Sequence, residues 1–342
     1  MRMSTPRSTR LLTSGAATAI TAGLLAVTAC SGPTGGPAGP PDIADNCGVP
    51  VSVDGPPRRA VSLNQQQTEI MLSLGLEDRM VGTATWTDPV APHLAEANAS
   101  VPRLADNNPS LEAVLGTEPD LVLGGYQAIY TDGGVAPRER FAEFGVPTYL
   151  SPSNCYPEEA ELGEPVGLDD IYREVREIAQ LFDVPERGEQ LVTELRGRVE
   201  AAQAKVAGLD GRENTSVLFW FARTGSPYVA GSTGAPGIIT RTLGVRNAYP
   251  DVASMWPQVG WEDVLRRAPD VLVLGDLTRD SEGDTLEAKK RFLRTDPAVS
   301  QLDAVRAERW MPMTGSAMNV SIRTVDGIEA LADRLVELDR QT

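Results

Sequence analysis

Few side chains that commonly bind metals or transfer protons occur in this 342-residue sequence. His93 is the single histidine, and Cys30, Cys47 and Cys155 are the three cysteines. A zinc centre built from several histidines, or from cysteines with histidines, therefore cannot be assembled. A mechanism that needs a histidine base would have to use His93. The sequence also contains no GxSxG nucleophile elbow. The residue types therefore favour a binding protein over an enzyme, and no cofactor or bare metal site is expected.

Two further ligand classes are disfavoured by composition and motif. The formal net charge is −16, whereas a nucleic-acid-binding protein needs a basic face to meet phosphates. The glycine-rich segment 231–237 could suggest a phosphate loop, but it lacks the Lys-Ser/Thr pair that a nucleotide P-loop requires. We expect no nucleic-acid partner and a structural role for this segment.

The N-terminal segment has the organisation of a secretory signal. Residues 1–10 carry three arginines and no acid, and residues 11–29 are uncharged and mostly apolar. The junction Val-Thr-Ala before Cys30 resembles the lipobox of bacterial lipoproteins, in which the cysteine sulfur is acylated. The alternative is a transmembrane anchor, although many Thr, Gly and Ala residues make the stretch weakly hydrophobic. We predict a signal peptide over 1–29 and lipidation of Cys30, which would place the protein on the extracytoplasmic face of the cell membrane.

A Gly- and Pro-rich run follows Cys30 and cannot bury a core, so residues 30–46 are predicted to be a flexible tether. The membrane is then contacted through the lipid alone. Cys47 and Cys155 remain as an even number of thiols in an oxidising compartment. They are predicted to form a disulfide, and two buried free thiols are the alternative.

Beyond the tether, short β-branched runs alternate with helical stretches, which indicates α/β layers. Strands are predicted at 60–63, 80–83, 121–123, 148–150, 217–221 and 271–274, and helices at 68–74, 110–117, 138–144 and 324–338. Between the two halves, apolar residues recur at helical spacing from 168 to 206. Pro185 should bend or restart the helix there.

An internal repeat organises the chain into two halves. Residues 110–123 and 260–273 align without a gap, with Glu, Val, Leu, Pro and Asp at the same positions. Each copy reads as a short helix, a Pro-Asp turn and a buried strand. Two copies separated by a long helical segment predict two equivalent lobes, and a cleft between lobes is where a ligand is expected.

Motifs along almost the whole chain carry a family resemblance. They are Arg59 to Leu63, Thr68 to Ile70, Leu74-Gly75, the block from Leu111 to Leu123, Trp256 to Glu262, and the Arg323 segment before the last helix. With these motifs the sequence resembles the substrate-binding proteins of ABC importers for iron–siderophores, haem and cobalamin. The lipobox, tether and acidic composition are similar to actinobacterial ferric-dicitrate-binding, FecB-like lipoproteins.

The resemblance implies two Rossmann-like α/β lobes joined by a long backbone helix, with the ligand cleft between the lobes. The expected boundaries are an N-terminal lobe at 47–165, a linker helix at 166–208 and a C-terminal lobe at 209–342. In this family one glutamate on each lobe docks onto arginines of the membrane permease, and Glu112 and Glu262 occupy those motif positions. The alternative is that the helix dipole alone favours an acid in a first turn.

For the cleft, loops after the predicted strands are the places to search. The candidates are Trp86, Tyr126, Tyr130, Trp220, Trp256 and Arg323. Flat aromatic faces suit a porphyrin, a catecholate or a corrin, and arginine pairs with carboxylate or phenolate oxygens. The alternative is ordinary core or surface aromatics. If the ligand is haem, His93 or a tyrosine such as Tyr126 or Tyr130 could supply an axial bond. For His93 the favoured interpretation is a solvated loop histidine, since no neighbouring residue marks it as a ligand.

The resemblance therefore implies a monomeric, lipid-anchored receptor that captures a ferric siderophore, ferric citrate or haem and delivers it to an ABC permease. The alternative is a cell-envelope haem- or siderophore-binding or scaffold protein that serves no transporter. Metal-cluster enzymes with a related lobe design need several cysteine ligands, and Cys47 and Cys155 are too few.

Overall fold

A computed structural model describes residues 42–155, 165–252, 254–278 and 283–341. The predicted signal peptide, the lipidation residue Cys30 and the tether up to residue 41 lie outside these described residues. Within them, no helix is long and apolar enough to cross a bilayer.

The N-terminal lobe is built on a parallel sheet with the strand order β5-β4-β3-β6-β7. Its elements in chain order are β1 (Asp42–Asn46), β2 (Val49–Ser52), β3 (Ala60–Ser62), α1 (Gln65–Ser73), β4 (Met80–Ala84), α2 (Ala95–Asn98), β5 (Arg103–Ala105), α3 (Leu111–Leu115), β6 (Leu121–Gly124), α4 (Arg138–Glu143) and β7 (Thr148–Leu150). Its central strands are buried on both faces, as a parallel sheet covered by helices requires.

Two bridging helices, α5 (Leu168–Leu181) and α6 (Pro185–Val206), lead to the C-terminal lobe. That lobe contains β8 (Ser216–Ala222), β9 (Tyr228–Val229), α7 (Gly234–Leu243), β10 (Arg246–Asn247), α8 (Trp261–Arg267), β11 (Val271–Asp276), α9 (Leu286–Thr295), α10 (Asp303–Arg306), β12 (Trp310–Thr314), α11 (Gly315–Met318) and α12 (Thr324–Asp339). The strand order is β10-β8-β11-β12, all parallel, with β9 antiparallel to β8. The predicted α/β fold with two lobes is confirmed.

The internal repeat corresponds to one structural unit used twice. The helices α3 and α8 each precede a central strand, and the backbone is left-handed at Glu118 (φ 49°) and at Ala268 (φ 45°), which occupy the same repeat position. The following aspartate then holds the neighbouring strand. Asp120 Oδ1 accepts the Arg59 N–H at 2.9 Å, and Asp270 Oδ2 accepts the Ser216 N–H at 2.8 Å.

The hairpin formed by β1 and β2 corrects the predicted tether boundary, because residues 42–46 are a strand of the folded body. Asn46, the last residue of β1, extends the edge of the sheet through its side chain. The Asn46 amide donates to the Leu150 carbonyl at 2.8 Å and accepts the Leu150 N–H at 2.7 Å. Beside it, Cys47 and Cys155 form the disulfide that was predicted. Composition predicted the end of the tether too late in the chain, because Asn46 is held in the folded body by a residue 104 positions away in sequence.

The bridge is interrupted where Pro185 predicts it, since α5 ends at Leu181 and α6 begins at Pro185. The two helices then pack on each other closely, and a Cβ at Gly188 would lie 2.6 Å from Ala179 Cβ. In the second half of the bridge, Arg198 of α6 forms ion pairs with Asp326 and Glu329 of α12.

The first half of the bridge is tied to the N-terminal lobe by a buried carboxyl group. Glu174 of α5 accepts hydrogen bonds from Gln67 Nε2 at 2.6 Å and from Ser151 Oγ at 2.8 Å. Burial raises the pKa of the Glu174 carboxyl to about 7, against the lowering effect of these two hydrogen bonds, and the nearby Glu177 raises it further. The folded protein therefore favours the protonated form of this group.

We predict that this carboxyl makes stability depend on pH. The pKa of Glu174 in the folded protein lies above its ordinary value near 4.5, so folding favours the protonated carboxyl. The contribution of this carboxyl to the free energy of unfolding is therefore fully present below pH 4.5 and is lost as pH rises through 7. The free energy of unfolding should fall by about 2 kcal/mol more between pH 5 and 8 in wild type than in Glu174→Gln. Urea denaturation at each pH measures this, and superimposable profiles would contradict the assignment.

Candidate functional site

The two lobes meet at the edges where their parallel strands end, and polar contacts between three residue pairs of the described part of the chain join them. Asp88 Oδ2 accepts hydrogen bonds from the Ser316 N–H at 2.5 Å and from Ser316 Oγ at 2.7 Å. Thr278 Oγ1 donates to the Thr87 carbonyl at 3.1 Å. Arg323 Nη1 lies 3.3 Å from Glu69 Oε1. These contacts form the floor of a cleft, which is the location expected for a ligand.

The first turns of α1 supply the polar side of the cleft. Asn64 caps the helix, since its side chain accepts the Gln66 N–H at 3.1 Å. The Gln65 side-chain oxygen accepts the N–H groups of Thr87 at 3.1 Å and of Asp88 at 3.2 Å. Gln65 thereby fixes the loop after β4, and this loop carries the aspartate that meets the other lobe.

A small cavity of about 80 Å³ lies between the lobes. All its lining residues are polar, and they come from both lobes: Asn64, Gln65, Gln66, Glu69, Thr85, Thr87, Tyr126, Ser316, Asn319, Ser321 and Arg323. Gly125 is required beside it, because a Cβ there would come within 2.7 Å of Gln66 Oε1 and Asn64 Cγ. The cavity can therefore hold a small hydrogen-bonding group.

A larger, open cavity of about 950 Å³ lies on the C-terminal lobe where β8 ends. Its aromatic wall contains Phe221 and Trp256, whose ring centroids are 4.5 Å apart with planes inclined by 33°. Arg223 is exposed, and its guanidinium lies 5.3 Å from the centre of the Tyr228 ring. The wall can therefore stack on the flat or apolar face of a ligand.

Three of the six predicted cleft residues line the two cavities. Tyr126 and Arg323 line the small cavity and Trp256 lines the large one. Trp86 lines neither cavity. It is half-buried, and its Nε1 donates to Thr83 Oγ1 at 3.1 Å.

Two predicted cleft residues belong to the lobe cores instead. Tyr130 is buried against Phe141, with its hydroxyl 3.0 Å from the Val122 and Tyr149 carbonyl oxygens. Trp220 is fully buried. Its ring packs edge-on against Trp261 and Phe292. Both were placed in the cleft because they follow or end a strand, but their side chains point into the layers that cover the sheet.

The cleft residues missed by sequence reasoning follow from the true end of β8. The strand runs two residues past Trp220, to Ala222, so alternation puts Phe221 on the opposite face from Trp220. Trp220 Nε1 donates to the Arg223 carbonyl at 2.6 Å and so holds the turn that presents Arg223. The predicted strand 217–221 already contained Phe221, and applying this alternation to it would have identified Phe221 as a wall residue. A strand end at Ala222, one residue later than predicted, would have identified Arg223 as the first residue of the loop. Tyr228 lies on the short strand β9, which carried no periodic signal.

The role predicted for Arg323, pairing with carboxylate or phenolate oxygens of a ligand, stays a prediction, and the structure gives its guanidinium two partners within the protein. Its guanidinium is paired with Glu69 across the cleft and with Asp326 of α12. Burial raises the pKa of the Glu69 carboxyl, and Arg323, Gln65 and the Ala91 N–H act in the opposite direction. The arginine is therefore already neutralised by side chains of this protein.

His93 lies exposed in the short turn 92–94 and lines neither cavity. Within the described ranges, no three His, Cys, Asp or Glu side chains come together in a way that could hold a metal ion.

Glu112 and Glu262 are exposed in the first turns of α3 and α8. Each helix runs antiparallel to the strand that follows it in the chain. Its first turn therefore lies at the edge of the sheet where the parallel strands end, which is the edge that faces the cleft. The pKa of the Glu112 carboxyl is lowered by hydrogen bonds from its own backbone N–H and from Ser110. Each lobe thus presents one carboxylate at an equivalent position.

Comparison with known proteins agrees with this architecture. A family model described as periplasmic binding protein matches residues 61–314. The vitamin B12-binding protein of Pectobacterium carotovorum is 27% identical over 273 residues, 79% of this chain and 87% of the relative. An uncharacterised ABC transporter substrate-binding lipoprotein of Bacillus subtilis is 22% identical over 86% of this chain and 85% of its own. The crystal structure of an ABC-type Fe3+-hydroxamate transport system from Saccharomonospora viridis superposes with a TM-score of 0.70 at 28% identity, covering 86% of this chain and 98% of that one.

We predict that the pair across the cleft is a coupled unit. Arg323→Gln should lower the free energy of unfolding by about 3 kcal/mol, because it leaves the buried Glu69 carboxylate without its partner. Glu69→Gln/Arg323→Gln should lose at least about 1 kcal/mol less than the sum of the single variants. Arg140→Gln removes an exposed ion pair with Glu143 and serves as the control, with a change within about 0.5 kcal/mol. Strict additivity of the Glu69 and Arg323 variants, measured by urea denaturation, would contradict the coupling.

Proposed function

The chain belongs to the periplasmic binding protein family, and we propose that it is the substrate-binding component of an ABC importer. In this proposal it captures a metal chelate or a metal-containing macrocycle in the cleft and delivers it to a permease. The observation that carries the proposal is the cleft itself, in which polar groups of both lobes surround one cavity and the C-terminal lobe adds a second cavity with an aromatic wall. A site shared between two lobes suits capture and release of an intact ligand.

The similarity to proteins named for vitamin B12 and for Fe3+-hydroxamate supports a bulky ligand of this class. The aromatic wall of Phe221 and Trp256 supplies flat apolar surface for such a ligand. The ferric siderophore, ferric citrate and haem expected from the sequence all belong to this range of candidates, as does a corrinoid.

We further propose that the protein is anchored outside the cytoplasmic membrane through lipidated Cys30. The basic start, the apolar stretch and the small-residue junction before Cys30 support this, and so does the similarity to a relative named as a lipoprotein. A tether leading from the lipid to β1 leaves the cleft free to meet a permease.

Glu112 and Glu262 are proposed to contact basic residues of that permease. Both are exposed, both occupy the same repeat position, and both lie at the cleft-facing edges of their lobes. A first-turn acid is also favoured by the helix dipole, so a test must separate docking from helix stability.

We predict that Glu112→Arg and Glu262→Arg each reduce uptake at least tenfold, because like charges would then face each other at the permease. Ligand affinity and unfolding temperature should stay within experimental error of wild type. Uptake of radiolabelled ligand in a deletion strain that carries each variant is the measurement.

Matched controls are Glu139→Arg on α4 and Glu287→Arg on α9, which reverse exposed first-turn acids outside the repeat position. These controls should transport normally. Normal uptake by both docking variants would reject the docking role. Loss of ligand affinity in a docking variant would assign that glutamate a structural role instead.

A further inference from the structure

The first turn of α1 places an unsatisfied hydrogen-bond acceptor at the small cavity. Gln66 lines this cavity and is 5% exposed. Its Nε2 donates to the Tyr126 hydroxyl at 3.0 Å, and its Oε1 is buried with no hydrogen-bond partner among the described residues. A buried oxygen of this kind costs free energy until a donor reaches it. Gln66 is therefore a group to which a bound ligand can add a hydrogen bond.

Buried oxygens without a partner among the described residues also occur at Gln67 Oε1 and Asp88 Oδ1. Their positions differ from that of the Gln66 oxygen, because neither Gln67 nor Asp88 lines the small or the large cavity. A ligand group in the small cavity therefore meets the Gln66 amide and not these two side chains.

Neighbouring groups of the small cavity are already engaged within the protein. Gln65 Oε1 accepts the N–H groups of Thr87 at 3.1 Å and of Asp88 at 3.2 Å. Ser316 Oγ donates to Asp88 Oδ2 at 2.7 Å, and Ser321 Oγ donates to the Ser316 carbonyl at 3.0 Å. These hydrogen bonds hold the walls of the cavity in place. A preorganised wall lets one added hydrogen bond discriminate between ligands.

The small cavity also limits the size of the group that can enter. Its volume of about 80 Å³ corresponds to about two or three water molecules, each of which takes about 30 Å³ in the liquid. It can admit a polar side group of a chelate or macrocycle, but not the ring itself. A side group that displaces water from a polar site without replacing its hydrogen bonds loses affinity. A group that enters here without a donor is therefore penalised.

We infer that Gln66 is a specificity-determining residue, and that its side-chain oxygen accepts a hydrogen bond from an amide N–H of the bound chelate or macrocycle. This inference rests on the proposed function and narrows its ligand class. Hydroxamate chelates with amide linkages and corrinoids with amide side groups meet the requirement. Haem and ferric citrate do not, because their outward polar groups are carboxylates, which accept hydrogen bonds when ionised.

The test compares ligands that keep one shape and zero charge but differ in N–H groups. Dicyanocobinamide carries amide side groups, whereas dicyanocobyrinic acid heptamethyl ester carries esters on the same ring. Ferrioxamine E and its derivative with every amide nitrogen methylated form the second pair. Full-length protein in detergent is titrated calorimetrically with both pairs, with ferric citrate and with haemin. We expect one amide ligand to bind and its donor-free partner to bind at least about tenfold more weakly.

Substitution of the acceptor separates hydrogen bonding from shape. Gln66→Met is similar in size but lacks the amide oxygen, so affinity for the amide ligand should fall about tenfold, and affinity for its donor-free partner by less than about twofold. Gln66→Glu keeps an acceptor and should retain the preference for the amide ligand. Gln127→Met, an exposed glutamine outside both cavities, is the matched control and should leave every affinity unchanged. If Gln66→Met does not fold, the comparison of the ligand pairs on wild type decides alone.

Each result discriminates. Equal affinity for the two members of a pair, or a preference for the amide ligand that survives in folded Gln66→Met, would overturn the role of Gln66 and leave the importer function standing. Tight binding of haemin or ferric citrate in place of the amide ligands would do the same. Absence of binding by every ligand in the panel to folded protein would overturn the importer function together with the inference.

Discussion

One buried ion pair, between Glu69 of α1 and Arg323 before α12, governs how the cleft is built. Neither charge is tolerated in the interior alone, so the surrounding groups are arranged to satisfy both. Glu69 also accepts hydrogen bonds from Gln65 Nε2 at 3.0 Å and from the Ala91 N–H at 3.2 Å. The same Gln65 holds the loop that carries Asp88 to Ser316. The hydrogen bonds that stabilise the Glu69 carboxylate thereby fix α1, the loop after β4 and the contact between the two lobes.

The lobes share a scaffold but divide the chemistry of the site. In both, a short helix, a left-handed residue and an aspartate anchor the central strand to its neighbour. The N-terminal lobe then adds amides and hydroxyls at its strand ends, whereas the C-terminal lobe adds aromatic rings and an exposed arginine. A duplicated frame thus supports a hydrogen-bonding cavity to which both lobes contribute and an aromatic wall on the C-terminal lobe.

Periodicity and the repeat predicted the layers, the lobes and the break before Pro185, because these depend on local sequence. The side chains of the cleft depended on finer information. The predicted strand 217–221 contained both Trp220 and Phe221, but the sequence did not show which of the two faces the cleft, since successive strand residues point to opposite faces. The partner of Arg323 lies 254 residues away in sequence, and no local pattern could reveal that its charge is already neutralised.

The disulfide between Cys47 and Cys155 has a mechanical consequence for a protein held at its N-terminal end. In the proposed membrane-anchored state, tension from the tether first reaches β1, the short hairpin strand that ends at Asn46. Without a covalent link, the hairpin could peel away and load would pass to the hydrogen bonds between Asn46 and Leu150 at the edge of the sheet. The disulfide stops this extension after the five residues of β1, about 17 Å of chain, and transfers force to the segment that follows β7. The cleft is thereby shielded from strain in its own anchor.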